Sequence, residues 1–175
     1  MEDYNKIKII ISDIDGVWTD GSVYKGTDNM EFKKFSVFDG VGVAYARAAD
    51  LKIAIISARY SPATEYRAKE LNIEDCYNGG LNKLHAYNEI KQKYSLSDDM
   101  IAYLGDDMVD LPVMNLVGLP IAVANSTPEI LKVAKHITKV KGGEGAFREA
   151  VEYIIKMQGR TKEVTKKMVE RVLNS

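Results

Sequence analysis

Short apolar runs recur along the chain, and each gives way to a polar or glycine-containing turn. Ile7-Lys8-Ile9-Ile10-Ile11 leads into Asp13, Ile53-Ala54-Ile55-Ile56 into Ser57, and Ile101-Ala102-Tyr103-Leu104 into Gly105. Runs this short, rich in β-branched residues and separated by helical stretches, predict buried parallel strands. Further strands are expected at Asp75-Cys76-Tyr77, at Ile121-Ala122-Val123 and around His136-Ile137-Thr138. Helices are expected over 40–50, from Ser61-Pro62 to about Leu71, from about Asn82 to Tyr94, from Leu111 to Val117, from Thr127-Pro128 to about Ala134, and after Gly145 to about Met157. Pro62 and Pro128 suit a first helical turn, where a missing N–H costs nothing, and Thr127 is expected to cap its helix. Between the first strand and the first helix, alternating stretches flank Gly26-Thr27-Asp28-Asn29, which predicts a β-hairpin at about 22–35. Strand–helix alternation of this kind means an α/β fold with a central parallel sheet flanked by helices.

The last stretch, Thr161 to Leu173, puts Val164, Met168 and Val172 on one helical stripe among Lys162, Lys166, Lys167 and Arg171. A terminal helix packing by that stripe is expected, on its own domain or on a partner. Glu163 and Glu170 dilute the positive charge that a membrane- or nucleic-acid-binding helix would need. Residues 1–157 therefore read as one domain and 158–175 as a helical tail, and 175 residues are enough for a full core. A net charge of −1 gives no basic field for nucleic acid or an anionic membrane. The single cysteine, Cys76, fits a reducing compartment and is expected to be a buried structural thiol. His85 is expected on a helix surface and His136 in a structural role. Lys8 interrupts the first apolar run and acids follow it, unlike a signal peptide, and no window reaches the roughly 18 apolar residues of a spanning helix. A cytoplasmic protein is expected.

The chemistry lies where the strands end. Polar groups just past the carboxyl ends of parallel strands converge on one crevice. Asp13 and Asp15 follow one strand, Ser57 another, and Asp106, Asp107 and Asp110 a third, with Lys83 on an intervening helix. Carboxylates sharing a crevice repel: at ~5 Å and an effective dielectric of ~20, each pair costs about 3 kcal/mol. Either some protonate or a cation neutralises them, and oxygen ligands with no His or Cys nearby favour Mg²⁺. Lys83 and Ser57 supply the point charge and the hydroxyl donor that a phosphoryl group requires. A carboxylate in such a site can attack phosphorus, a role that suits Asp13, while Asp15 can protonate a leaving alkoxide and later deprotonate water. Asp107 reads as an outer acid or a helix N-terminal residue, and Asp110 as a residue that orients Lys83 or a metal-bound water.

These motifs, in this order, resemble the haloacid dehalogenase superfamily of phosphohydrolases: Asp-x-Asp at Asp13 and Asp15, then Ser57, then Lys83, then Gly105-Asp106 with Asp110. The resemblance implies a Rossmann-like fold, with Asp13 as nucleophile and Asp15 as acid/base. It implies that Ser57 and Lys83 hold the phosphate, and that Mg²⁺ is bound by Asp13, the Asp15 main-chain carbonyl and Asp106. Asp13-Ile14-Asp15-Gly16-Val17-Trp18-Thr19-Asp20-Gly21, Lys34-Phe35, Asp39-Gly40-x-Gly42 and Gly142-Gly143-x-Gly145-Ala146-Phe147-Arg148-Glu149 are similar to the 3-deoxy-octulosonate 8-phosphate phosphatase subfamily. Related enzymes act on nine-carbon (nonulosonate) 9-phosphates, and the surroundings of Trp18 look more like that branch.

The gaps from Gly16 to Ser57 and from Arg59 to Lys83 are too short for a cap domain, so the hairpin is the one insertion. In the subfamily resembled, that hairpin helps build a homotetramer in which a neighbouring subunit covers each site. The substrate's carboxylate calls for arginine, and Arg59 and Arg67 match recurrent positions. A signalling receiver domain would put its phosphorylated Asp after the third strand and its Lys after the fifth, unlike this chain. An inactive scaffold of the same fold would not need the complete set of acids with Ser57 and Lys83. A mutase would have to exclude water, which a capless site does not.

Overall fold

A computed structural model describes residues 4–28 and 30–174. Six parallel strands form the main sheet: β1 (Ile9–Ser12), β4 (Lys52–Ser57), β5 (Asp75–Asn78), β6 (Ile101–Gly105), β7 (Leu119–Ala122) and β8 (His136–Ile137). A separate two-stranded hairpin pairs β2 (Tyr24–Lys25) with β3 (Glu31–Phe32). The helices are α1 (Val37–Ala48), α2 (Pro62–Glu70), α3 (Lys83–Tyr94), α4 (Leu111–Met114), α5 (Pro128–Val133), α6 (Ala146–Met157) and α7 (Thr161–Leu173). The strand order is β5-β4-β1-β6-β7-β8, so β1 lies between β4 and β6. The chain winds outward in both directions from β1, and the crevice at such a reversal is where open α/β sheets bind ligands.

Alternation along the strands divides the core. Ile10, Ala102 and Leu104 face a layer that includes Val43, Phe147 and Val151, from α1 and α6. Ile9, Ile11 and Tyr103 face Tyr87, Ile90, Val113 and Ile130, from α3, α4 and α5. Both faces of β1 are thus dry, as its continuous apolar run requires.

Several elements depart from expectation for local reasons. Helix α1 starts at Val37, not 40, because Ser36 caps it and accepts from the Phe38 N–H at 3.2 Å. The hairpin strands shrink to two residues each, and the Asn29 part of their turn lies outside the described residues. Helix α4 stops at Met114, and β7 begins at Leu119, which pairs with Ala102. Thr127 makes no side-chain cap; its N–H and hydroxyl both reach the Asp106 carbonyl, at 2.9 and 3.4 Å. Cys76 is half-buried rather than buried, and burial pushes its thiol up to about 11. His85 is exposed, and His136 stacks on Tyr153 with centroids 3.6 Å apart.

The tail packs on its own domain through only part of its stripe. Val164 is fully buried and Met168 partly so, whereas Val172 is exposed. Arg160 Nη1 anchors the start of the tail by donating to the Ala49 carbonyl at 2.7 Å. Among the described residues no helix is long and apolar enough to cross a membrane.

The loop after β1 is held from below. Trp18 is buried, donates from Nε1 to Ser12 Oγ at 2.9 Å and packs on Phe147 at 4.4 Å between centroids. Gly142 and Gly143 press against the same loop, and the Gly143 N–H donates to the Val17 carbonyl at 2.9 Å. A Cβ on Gly142 would lie 1.7 Å from the Gly16 carbonyl oxygen, which is backbone and has little room to yield. Gly142→Ala is therefore expected to cost about 2–3 kcal/mol by overpacking. Its melting temperature, followed by circular dichroism, should fall by roughly 5–10 °C.

Candidate active site

Strands β1 and β6 end side by side, so the Asp13–Gly16 loop and the Asp106–Asp110 loop face each other across the reversal point. A crevice of about 330 Å³ opens there, lined by Asp13, Asp15, Arg59, Asp106 and Asp107, with Gly16 and Ala58 among its backbone walls. Gly16 has φ +87°, and a Cβ there would sit 2.0 Å from Asp106 Oδ2. Only glycine lets the two acidic loops approach this closely.

Behind the crevice lies a buried ion cluster. Lys83, the first residue of α3, places Nζ 2.9 Å from Asp13 Oδ1 and 2.7 Å from Asp110 Oδ1. Asn82 caps the helix, accepting from the Leu84 N–H at 3.2 Å, and this fixes where Lys83 departs. Asp110 uses both of its oxygens. Oδ1 also accepts from the Tyr103 hydroxyl at 2.7 Å, and Oδ2 accepts from the Asp106 and Asp107 N–H groups at 3.0 and 3.2 Å. Asp110 thus orients Lys83 and shapes the loop that carries Asp106.

Three carboxylates, those of Asp13, Asp106 and Asp110, converge with ligand atoms within 4.8 Å of one another, against one ammonium. Burial raises the Asp13 carboxyl well above its ordinary range; Lys83 opposes this and Asp110 adds to it. Burial, with Asp13 and Asp110 adjoining, pushes Asp106 up to about 8. Burial alone would lower Lys83, but Asp13 and Asp110 together raise it. Asp106 Oδ1 is buried without a hydrogen-bond partner among the described residues. An all-oxygen donor set with excess negative charge and an unsatisfied buried oxygen fits a hard divalent cation.

The remaining expected residues divide into two groups. Asp15 lines the crevice with Oδ1 held 2.7 Å from Lys33 Nζ, while Ser57 is buried at the end of β4 and donates to the Arg59 carbonyl at 3.0 Å. Asp107 is exposed on the rim, its Oδ1 accepting from the Met108 N–H at 2.7 Å. Arg59 also lines the crevice, but its Nη1 is engaged by Glu31 at 2.9 Å to both carboxylate oxygens. Arg67 does not line this crevice. It pairs with Glu70 at 2.8 Å, reaches the Ser36 carbonyl at 3.3 Å and lies over the Phe35 ring.

Four participants were not singled out from the sequence: Tyr103, Glu31, Lys33 and Thr64. A tyrosine in the aliphatic run 101–104 was a usable signal, since a buried hydroxyl needs a partner. The other three meet the site only because the hairpin folds back, and no local pattern announces that.

The chain matches the haloacid dehalogenase-like hydrolase family over residues 52–149. It is 39% identical over 157 residues to the 3-deoxy-D-manno-octulosonate 8-phosphate phosphatase KdsC of Escherichia coli K12, an alignment covering 90% of this chain and 84% of that protein. The crystal structure of the phosphatase of that name from Yersinia pestis superposes with a TM-score of 0.88 at 39% identity, covering 91% and 86% of the two chains. The Moraxella catarrhalis phosphatase, in complex with magnesium, phosphate and KDO, gives 0.89 at 33% identity over 94% and 97%.

The acid cluster should make metal-free stability depend on pH. An unfolded Asp titrates near 3.9, so between ~4 and ~8 folded Asp106 keeps a proton that the unfolded chain releases. The native state then binds more protons, and stability falls as pH rises through that window. Thermal melts in a chelator should show a lower melting temperature at pH 8 than at pH 5. Added Mg²⁺ should raise it more at pH 8, where protons no longer compete, and Asp106→Asn should flatten both responses. A metal-free melting temperature that climbs across the window would contradict this charge balance.

Proposed function

The chain belongs to the haloacid dehalogenase-like hydrolase family, and on that premise we propose that it is a Mg²⁺-dependent phosphatase of 3-deoxy-D-manno-octulosonate 8-phosphate. The observation that carries the reaction is the buried Asp13–Lys83–Asp110 cluster beside Asp106, opening into a crevice that Asp15 also lines. Relatives named for the eight-carbon substrate support that choice over the nine-carbon acids. We assign the activity to residues 1–157, with 158–175 a helical appendage, and place the protein in the cytoplasm.

In the proposed mechanism the Asp13 carboxylate attacks phosphorus and the bond to the sugar oxygen breaks. Asp15 gives its proton to the departing alkoxide, leaving an aspartyl phosphate and a free sugar acid. Asp15, now a carboxylate, takes a proton from water as that water attacks phosphorus. Inorganic phosphate departs, and Asp13 and Asp15 return to their starting states. Asp13 and Asp106 would hold Mg²⁺ with their carboxylates and Asp15 with its main-chain carbonyl. Bound there, the ion offsets the clustered charge and draws electron density from the phosphoryl oxygens. Asp110, with both oxygens occupied, acts through Lys83 rather than as a ligand. Lys83 and Ser57 hold the phosphoryl group, Ser57 exchanging its bond to the Arg59 carbonyl for one to a phosphoryl oxygen. Asp107 stays on the rim.

Specificity is assigned to Arg59, whose Nη2 is buried without a partner among the described residues and is available to the sugar carboxylate. Arg67 lies outside this copy's crevice, so a substrate role for it would have to be exercised on a neighbouring copy. We place the protein in a homotetramer built on the hairpin. Exposed Val23, Tyr24, Met30 and Phe32 on the hairpin support that assembly, and a covering subunit would exclude water and strengthen the electrostatics.

Phosphate release from the sugar acid phosphate tests the reaction. Asp13→Asn should abolish turnover while leaving the melting temperature within a few degrees; an active variant would remove the covalent mechanism. Chelation should silence the enzyme and Mg²⁺ restore it. Arg59→Ala should raise KM for the sugar acid phosphate by about 10-fold or more while changing KM for p-nitrophenyl phosphate little. Equal effects on the two substrates would take the carboxylate role from Arg59. Light scattering at micromolar concentration should give four copies, and a monomer would exclude the covered site.

A further inference from the structure

The hairpin carries two charges towards the crevice, and each finds its opposite on a loop following a sheet strand. Glu31 takes Arg59, which follows β4. Lys33, two residues on, takes Asp15, which follows β1, at 2.7 Å. Two-residue spacing in extended chain puts both on one face, and Phe32 and Lys34 are exposed. The Lys33 side chain is only 1% exposed, and its Nζ also reaches Thr64 Oγ1 at 3.1 Å, on the first turn of α2. An ammonium withdrawn from water costs several kcal/mol unless it is well paired, so a surface hairpin gains nothing from a lysine here without its partners.

The two oxygens of Asp15 are unequal. Oδ1 is anchored by Lys33, whereas Oδ2 is buried and has no hydrogen-bond partner among the described residues. Asp15 lines the crevice, so one oxygen is fixed and the other is left unpaired at its wall.

We propose that Lys33 is a positioning residue for Asp15, holding the carboxylate in the rotamer that turns Oδ2 towards the leaving-group oxygen. The proposal rests on the phosphatase reading above, in which Asp15 carries the proton. Lys33 forms and breaks no bond in the reaction. Without it, Asp15 rotates among alternatives, and proton delivery to the alkoxide loses its geometry. A lysine that only fastened the hairpin would act on every substrate alike.

Leaving groups separate the two roles. A sugar alkoxide needs a proton to depart, whereas p-nitrophenolate is stable as an anion. Single-turnover cleavage of both phosphates is measured with wild type, Lys33→Met, Lys33→Arg and Thr64→Val, alongside their thermal melts. Lys33→Met should slow cleavage of the sugar acid phosphate about 10²-fold and of p-nitrophenyl phosphate less than about 3-fold, with KM little changed. Lys33→Arg, which keeps a cationic donor, should recover most of the loss. Thr64→Val, which leaves Lys33 in place with one support fewer, should show a smaller loss with the same selectivity and carries the test if Lys33→Met does not fold. Equal slowing of both phosphates, a loss confined to KM, or no loss would overturn the assignment. Those results concern Lys33 alone when wild type cleaves both phosphates and Asp13→Asn cleaves neither. A wild type inactive on both, or an active Asp13→Asn, overturns the phosphatase reading instead.

Discussion

The contact between Lys83 and its two aspartates is the constraint around which this molecule is arranged. Asp13 and Asp110 are almost wholly buried, and neither could be without the ammonium between them. Removing the ammonium from a buried cluster of this kind typically costs about 3–5 kcal/mol, because buried negative charge is left without compensation. The three residues come from the end of β1, the start of α3 and the loop after β6, so the cluster ties both halves of the sheet together at its reversal point. Adding Asp106 leaves two negative charges in excess if every group is ionised. That excess makes the crevice select a divalent cation, and it separates Asp110, saturated by Lys83, Tyr103 and two N–H groups, from the acids that remain open.

Glycines and a tryptophan make this arrangement sterically possible. Gly16 gives Asp106 its space, Gly142 lies against the Gly16 carbonyl, and Trp18 fastens the same loop to α6. The loop bearing Asp13 and Asp15 is therefore held between the Gly142 backbone on one side and the Asp106 carboxylate over Gly16 on the other, and neither contact tolerates an added atom. Rigidity of this kind lets a carboxylate meet phosphorus without first having to find its place.

Much of this was readable from the chain. Apolar runs ending in Asp13, Ser57 and Gly105 identify parallel strands, and the rule that such strands deliver their polar ends to one crevice gathers Asp13, Asp15, Asp106 and Asp110 from the sequence alone. What was not readable concerns long-range return. Arg59 and Arg67 look equivalent as sequence, yet one lines the crevice and the other turns to Glu70 and Ser36. Glu31 and Lys33 belong to a hairpin whose docking depends on counter-charges distant in the chain. The start of α1, three residues earlier than expected, and the missing side-chain cap at Thr127, whose helix nevertheless begins at Pro128 as expected, were decided by which backbone groups a hydroxyl reaches.

The position of β1 in the middle of the sheet bears on how the chain is made. Among the strands of this sheet it precedes its neighbours β4 and β6 in the chain, and the ammonium that compensates Asp13 also emerges after it. Until α3 has left the ribosome, packing β1 into a core would bury an uncompensated carboxylate at its end. The acid that serves the finished protein is thus a cost to a partial one until Lys83 is available to pair with it. β6 then supplies the second neighbour of β1 and, in the loop after it, Asp106 and Asp110, before β7 and β8 extend the sheet.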